Sequence, residues 1–62
     1  MMKAIAILNN YQIGGYAHKV MSDKIINETR VDKYHTQVTW EGLSKGEFDL
    51  LKKLIKNIKE VK

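Results

Sequence analysis

His18 and His35 are the only side chains of this sequence that titrate near neutral pH without help from their surroundings. Asp32 stands three residues before His35, a spacing from which a carboxylate could orient an imidazole for general acid–base work. A metal centre would need three or four converging ligands, and the chain has no Cys and no cluster of His and acids at ligand spacing. Covalent catalysis would need a nucleophile, a base and an orienting group. Ser22 has no identifiable base, and Ser44 is explained as a helix cap. Gly14-Gly15 could turn backbone amides toward a phosphate. Neither a dinucleotide fingerprint nor a Walker motif surrounds the pair, so a tight turn accounts for it. These residues point to a protein that is not an enzyme and carries no cofactor and no metal. A small enzyme subunit or toxin would have to build a pocket around His18 or His35.

Binding chemistry is better represented. Eleven Lys and Arg against seven Asp and Glu give a formal charge of +4, which attracts polyanions. Lys45, Lys52, Lys56 and Lys59 are spaced to follow one phosphate backbone, which would make a nucleic-acid interface driven by charge and indifferent to sequence. A solvated helix face carries the same residues, and an A/T-rich coding sequence also enriches Lys, Ile and Asn. Only Arg30 could make the bidentate contacts by which bases and phosphates are usually read. Tyr11, Tyr16, Arg30 and His35 are the candidate contacts for a protein partner, because Tyr and Arg dominate binding hot spots. The leading expectation is a small binding protein that acts stoichiometrically on another protein. A basic nucleic-acid-binding domain using the four lysines is the alternative.

The elements that must position these groups are those of one domain over residues 1–62, since there is no Pro, no repeat and no low-complexity tract. A domain this small buries only roughly 60% of the surface its unfolded chain exposes, so a homo-oligomer or a docked partner is the expected source of further burial. Residues 3–8 read as a strand with Ile5 and Ile7 on one face and Ala4, Ala6 and Leu8 on the other. Both faces are apolar, which predicts a central strand covered on two sides or a small-residue face covered by another subunit. Residues 33–40 alternate, with Tyr34, Thr36, Val38 and Trp40 predicted toward the core and Lys33, His35, Gln37 and Thr39 toward solvent.

The clearest signals come last. Ser44 as N-cap and Glu47 three residues on form a capping box, with Leu43 and Phe48 as the hydrophobic staple. Phe48, Leu51, Leu54, Ile55, Ile58 and Val61 then follow the helical period, predicting a helix over about 45–61 with the lysines on its outer face. Residues 11–32 fit two patterns. Tyr16, Ala17, Val20, Met21 and Ile25 could share a helix face, or Met21-Ser22-Asp23-Lys24 could turn between two short strands. Strands are preferred, because Ser22 and Asp23 sit poorly inside a helix. The expected fold is therefore α+β, a small antiparallel sheet packed by one C-terminal amphipathic helix. The opening apolar run is far shorter than a membrane span, a signal peptide would leave too little chain to fold, and the lack of Cys fits a reducing compartment, so a cytoplasmic location and no membrane partner are expected.

The segment Gly42-Leu43-Ser44-Lys45-Gly46-Glu47-Phe48, following an aromatic strand, resembles the small uracil-DNA-glycosylase inhibitors of Bacillus phages. That resemblance covers residues 42–48 alone and implies that Glu47 and Phe48 lie near an inhibitory surface. Two departures stand against it: that family mimics DNA with acidic groups whereas this chain is basic, and its His lies closer to the Gly-Leu-Ser than His35 does. More broadly, a tiny, Lys-rich, Cys-free domain resembles phage early proteins that bind and inhibit a host or defence protein.

Overall fold

A computed structural model describes residues 1–62 as strand β1 (Met2–Asn9), a one-turn helix α1 (Tyr16–Lys19), β2 (Ile25–Arg30), β3 (His35–Leu43), helix α2 (Lys45–Leu54) and β4 (Lys59–Val61). The strands form one antiparallel sheet in the order β2-β3-β1-β4. The α+β class expected from the sequence is therefore the observed one, with β1 central.

Which face of β1 is covered follows from Trp40. It lies directly across the β1–β3 ladder from Ala4, and Val38 lies across from Ala6. Small residues on one strand make room for large ones on the next, as close packing requires. Ala4, Ala6, Leu8, Val38, Trp40 and Leu43 form the sheet side of the core; Leu51, Ile55, Ile58 and Met21 close it from above. Ala17 and Val20 of the α1 segment pack against the same cluster. Both helices thus lie over the alanine face, and Ile5 and Ile7 are left half-buried on the other side with Thr39, Gln37 and Lys59 beside them. The indole Nε1 of Trp40 is buried with no hydrogen-bond partner.

Residues 11–32 divide between the two patterns. Tyr16–Lys19 is helical for one turn, Ser22–Lys24 is a 3-10 turn, and residues 25–30 are a strand paired with β3. The strand preferred for the first half of this stretch is thus a helical turn. Tyr34 also departs from expectation: it sits in the β2–β3 turn, before β3 begins, and is exposed.

The C-terminal helix is shorter than the apolar period predicts. It stops at Leu54, Ile55 is extended (φ −127°, ψ 108°), and residues 59–61 pair with Lys3–Ile5 of β1. A helix through 61 would leave the outer backbone of β1 unpaired, and unpaired main-chain groups are costly. Forming β4 satisfies them while still burying Ile55 and Ile58. Lys56 and Lys59 consequently leave the helix, and Lys59 falls on the open face of the sheet beside Ile5.

Beyond Lys59 the ladder is finished by a side chain. The Asn57 amide accepts from the Ile7 N–H at 2.9 Å and donates to the Ile7 carbonyl at 2.8 Å, at the position where the next β4 residue would pair. Replacing Asn57 with Ala should cost about 1–2 kcal/mol from these two bonds, and chemical denaturation together with faster hydrogen exchange at the Ile7 amide would register it. Trp40→Ala should cost about 3–5 kcal/mol, a large part of the stability of a domain this small. Trp40→Phe should cost less, because it keeps most of the ring and removes the unpartnered N–H.

Candidate functional site

Two junctions carry most of the polar side chains with fixed partners. The first is the β3–α2 junction. Gly42 is the extra residue where the β1–β3 register shifts, and it takes φ +78°, a conformation that favours glycine. Leu43 is buried in the core. Ser44 then caps α2: its hydroxyl accepts from the Glu47 N–H at 3.2 Å, and Glu47 Oε1 accepts from the Ser44 N–H at 2.8 Å. Lys24 ties the 3-10 turn to this junction, donating to the Gly42 carbonyl at 2.9 Å and standing 3.7 Å from Glu47. Phe48 is half-buried against the core. Every residue type in the 42–48 segment except Lys45 and Gly46 thus has a structural task, whatever the segment resembles.

The second junction lies at the opposite end of β3. Asp32 folds the β2–β3 turn around itself, its Oδ1 accepting from the Tyr34 N–H at 2.8 Å and lying 2.9 Å from His35 Nδ1. The Arg30 guanidinium donates to the carbonyls of Asp32 and Lys33 at 3.3 and 3.0 Å. Across the gap, Asn10 of the β1–α1 loop donates its backbone N–H to the Tyr34 carbonyl at 3.0 Å and its amide to the Lys33 carbonyl at 3.2 Å. Asn9 steadies that loop by accepting from the Tyr11 and Gln12 N–H groups. The result is two loops laced together by side chains, with Asn9, Asn10, Tyr11 and Tyr34 lining an open depression between them.

Among the residues expected to meet a protein partner, Tyr11, Arg30 and His35 therefore belong to this one end of the sheet. Tyr11 is 96% exposed and Tyr34 62% exposed, two aromatic rings in water beside a backbone held in place. Tyr16, 67% exposed, stands apart on α1 and does not line the depression. Tyr34 and Asn10 are the members that sequence reasoning overlooks. Asp32-Lys33 is the signal that could have found Tyr34, because an Asx turn at Asp32 moves the start of the strand past it.

His18 and His35 are far apart in role. His18 lies under the loop, its Nδ1 accepting from the Gly14 N–H at 2.9 Å and its Nε2 3.2 Å from Glu28 on β2. His35 pairs only with Asp32. No three His, Asp or Glu side chains converge. Of the four lysines proposed for nucleic acid, Lys45 and Lys52 lie on α2, Lys56 in the turn after it and Lys59 on β4. All four are exposed, and none is within 4.0 Å of a carboxylate. No helix is long and apolar enough to cross a membrane.

The architecture defines a class: a four-stranded antiparallel sheet with one helix-covered face, one open face and a loop-built aromatic end. No protein-family model, curated protein or solved structure matches the chain.

Both loop-end carboxylates are perturbed in the same direction. The Tyr34 N–H, and then His35, hold Asp32 below its ordinary value of 3.8. The Ser44 N–H, with help from the Ser44 hydroxyl and Lys24, holds Glu47 below 4.5. A carboxylate whose folded value is depressed contributes stability that is present above its unfolded value and is lost as pH falls through the folded one. Stability should accordingly fall as pH drops through the low fours and below. Denaturation midpoints measured from pH 6 to 3 should show this slope, and it should flatten in an Asp32→Asn, Glu47→Gln double variant, which keeps an oxygen acceptor at each site.

Proposed function

We propose that this protein works without catalysis, as a stoichiometric binding protein whose contact surface is the loop end built from Tyr11, Tyr34, Arg30 and His35. The observation that carries the reading is that two exposed tyrosine rings are mounted on backbone fixed by Asn9, Asn10, Asp32 and Arg30. A braced backbone leaves only the two torsions of each ring to be ordered when a partner covers them, which lowers the entropic cost of binding. Tyr and Arg supply the contact area and directional hydrogen bonds that dominate protein interfaces. A small, basic, Cys-free domain of this kind suits a cytoplasmic modulator that covers a site on a larger protein, in the manner of phage-encoded inhibitors of host or defence proteins. The resemblance at residues 42–48 adds little, since capping and bulge geometry account for most of those residues.

Nucleic acid is the second reading, favoured by four exposed lysines with no acidic partner. They are spread over α2, the following turn and β4, so they would contact phosphates as scattered point charges.

Affinity capture from bacterial lysate with the wild-type chain and with a Tyr11→Ala, Tyr34→Ala variant tests the proposal. A protein retained by the wild type at high salt, lost with the variant and shown to bind one-to-one by calorimetry is the expected outcome. Equal capture by both chains would refute the assignment of this end as the contact surface. If phosphate contacts dominate instead, anisotropy with labelled DNA or RNA should give an affinity falling steeply with salt, with a log–log slope of about −0.9 per phosphate neutralised, and Lys→Gln changes at 45, 52, 56 and 59 should reduce that slope.

A further inference from the structure

The sheet treats its two edges differently. On the β4 side the edge is three residues long, is flanked by exposed lysines and is finished by the Asn57 side chain. On the β2 side every residue from Ile26 to Val31 is exposed, and nothing caps the backbone. An open edge of this sort is a template for another strand.

The ladder determines which groups that edge presents. Val31 donates its N–H to the His35 carbonyl at 3.0 Å, which makes Val31 and His35 a hydrogen-bonded pair. Such pairs alternate along an antiparallel ladder, and Thr29 pairs with Gln37 and Asn27 with Thr39. Asn27, Thr29 and Val31 therefore turn their main-chain groups toward β3, and Glu28 and Arg30 turn theirs outward. The only irregularity in the pairing lies between Ile25 and Asn27, which leaves residues 27–31 regular.

We infer that this edge pairs with the same edge of a second copy of the chain, across a two-fold axis at Thr29, so that Glu28 of each copy faces Arg30 of the other. Register selects this arrangement. Outward-facing residues must pair with outward-facing residues, so an axis at Glu28 sets Glu28 against Glu28 and an axis at Arg30 sets Arg30 against Arg30. Like charges directly opposite destabilise a sheet, whereas opposite charges and Thr–Thr pairs stabilise it. An axis at Asn27 runs into the bulge. With the axis at Thr29 there are two Glu28–Arg30 pairs, one Thr29–Thr29 pair and two Asn27–Val31 pairs. Both charged side chains are already held: Glu28 by His18 through Oε1, and Arg30 by the turn carbonyls through Nη1. Oε2 and Nη2 remain for the second copy. Two copies joined this way form one eight-stranded sheet with closed two-fold symmetry. This goes beyond the heterologous partner proposed above; the Thr29→Cys and Asn27→Cys comparison changes none of Tyr11, Tyr34, Arg30 and His35, and the Tyr11→Ala, Tyr34→Ala variant changes nothing at the β2 edge, so either can fail alone.

The chain has no cysteine, which makes the test specific. Thr29 sits opposite itself in a pair without hydrogen bonds, where Cα atoms lie about 4.5 Å apart, within disulfide range. Two copies of residue 27 would be about 13 Å apart along the strands. In a glutathione redox buffer Thr29→Cys should become a covalent dimer about tenfold faster or more than Asn27→Cys, since misplaced sulfurs cannot reach bonding geometry. Far-UV circular dichroism of both variants should match the wild type, and sedimentation equilibrium of the Cys-free chain at concentrations up to millimolar should show a dimer. Adding Glu28→Arg or Arg30→Glu to Thr29→Cys should remove the advantage, and adding both should restore it. Equal oxidation of the two Cys variants, a monomer at every concentration, or failure of the double reversal to restore dimerisation would overturn the inference.

Discussion

The fold depends on satisfying the backbone of β1. As one of the two interior strands it needs a partner on each side, and it is the strand whose two faces are both apolar. β3 supplies one side along the whole of its length. The other side is met by β4 over Lys3–Ile5 and by the Asn57 amide at Ile7. Much else follows. Because residues 59–61 must reach β1, α2 has to stop at Leu54. Because α2 is short, the core has to be completed by Met21, Ala17 and Val20 from the α1 segment. The chain spends its last residues on hydrogen bonds for a strand made by its first.

Side-chain size decides the rest of the packing. A bulky indole on β3 faces an alanine on β1, and that complementarity places both helices over the same face. The opposite face keeps Ile5 and Ile7 half-buried among Thr, Gln and Lys. A sheet covered on one side is a common arrangement for antiparallel strands, and it is economical for so short a chain, since one layer of helix suffices. Loop chemistry is then free for other work. Polar side chains at the turn end bind backbone groups and fix the main chain from which the exposed tyrosines project, and binding surfaces are typically carried on loops over a rigid scaffold of this kind.

The contrast between the two sheet edges has the same origin. β4 is short because only three residues are needed before Asn57 takes over, and its lysines keep it solvated. β2 is longer, running in regular register from Asn27 into the Asp32 turn, and its outward-facing positions Glu28 and Arg30 carry opposite charges. On one side a short, lysine-flanked strand gives way to an amide that satisfies Ile7 of β1, and on the other Glu28 and Arg30 form a self-complementary pair of outward-facing groups.

Local signals were legible from residue types alone wherever the free-energy difference is local. The capping box at Ser44 and Glu47, the alternation of Thr36, Val38 and Trp40, the strand at the N-terminus and the α+β class all follow from patterns spanning a few residues, because caps and face alternation are settled within one or two turns of chain. Tyr11, Arg30 and His35 could be named as contact candidates on residue type, and Asp32 organises Arg30 and His35 within one local turn, but bringing Tyr11 to that turn rests on the hydrogen bonds that Asn10 donates to the Lys33 and Tyr34 carbonyls, more than twenty residues away. The end of α2 was out of reach for the same reason. Ile55, Ile58 and Val61 keep the helical period, and Asn57 was the sole local hint of a stop. What overrode the period was the unpaired backbone of a strand some fifty residues earlier, a demand that exists only once the sheet has formed. Sequence determined the first strand, the apolar face carrying Val38 and Trp40, and the capped start of the last helix; tertiary structure decided which face of the sheet was covered, that α1 is a helical turn, where the last helix became a strand and which polar groups met.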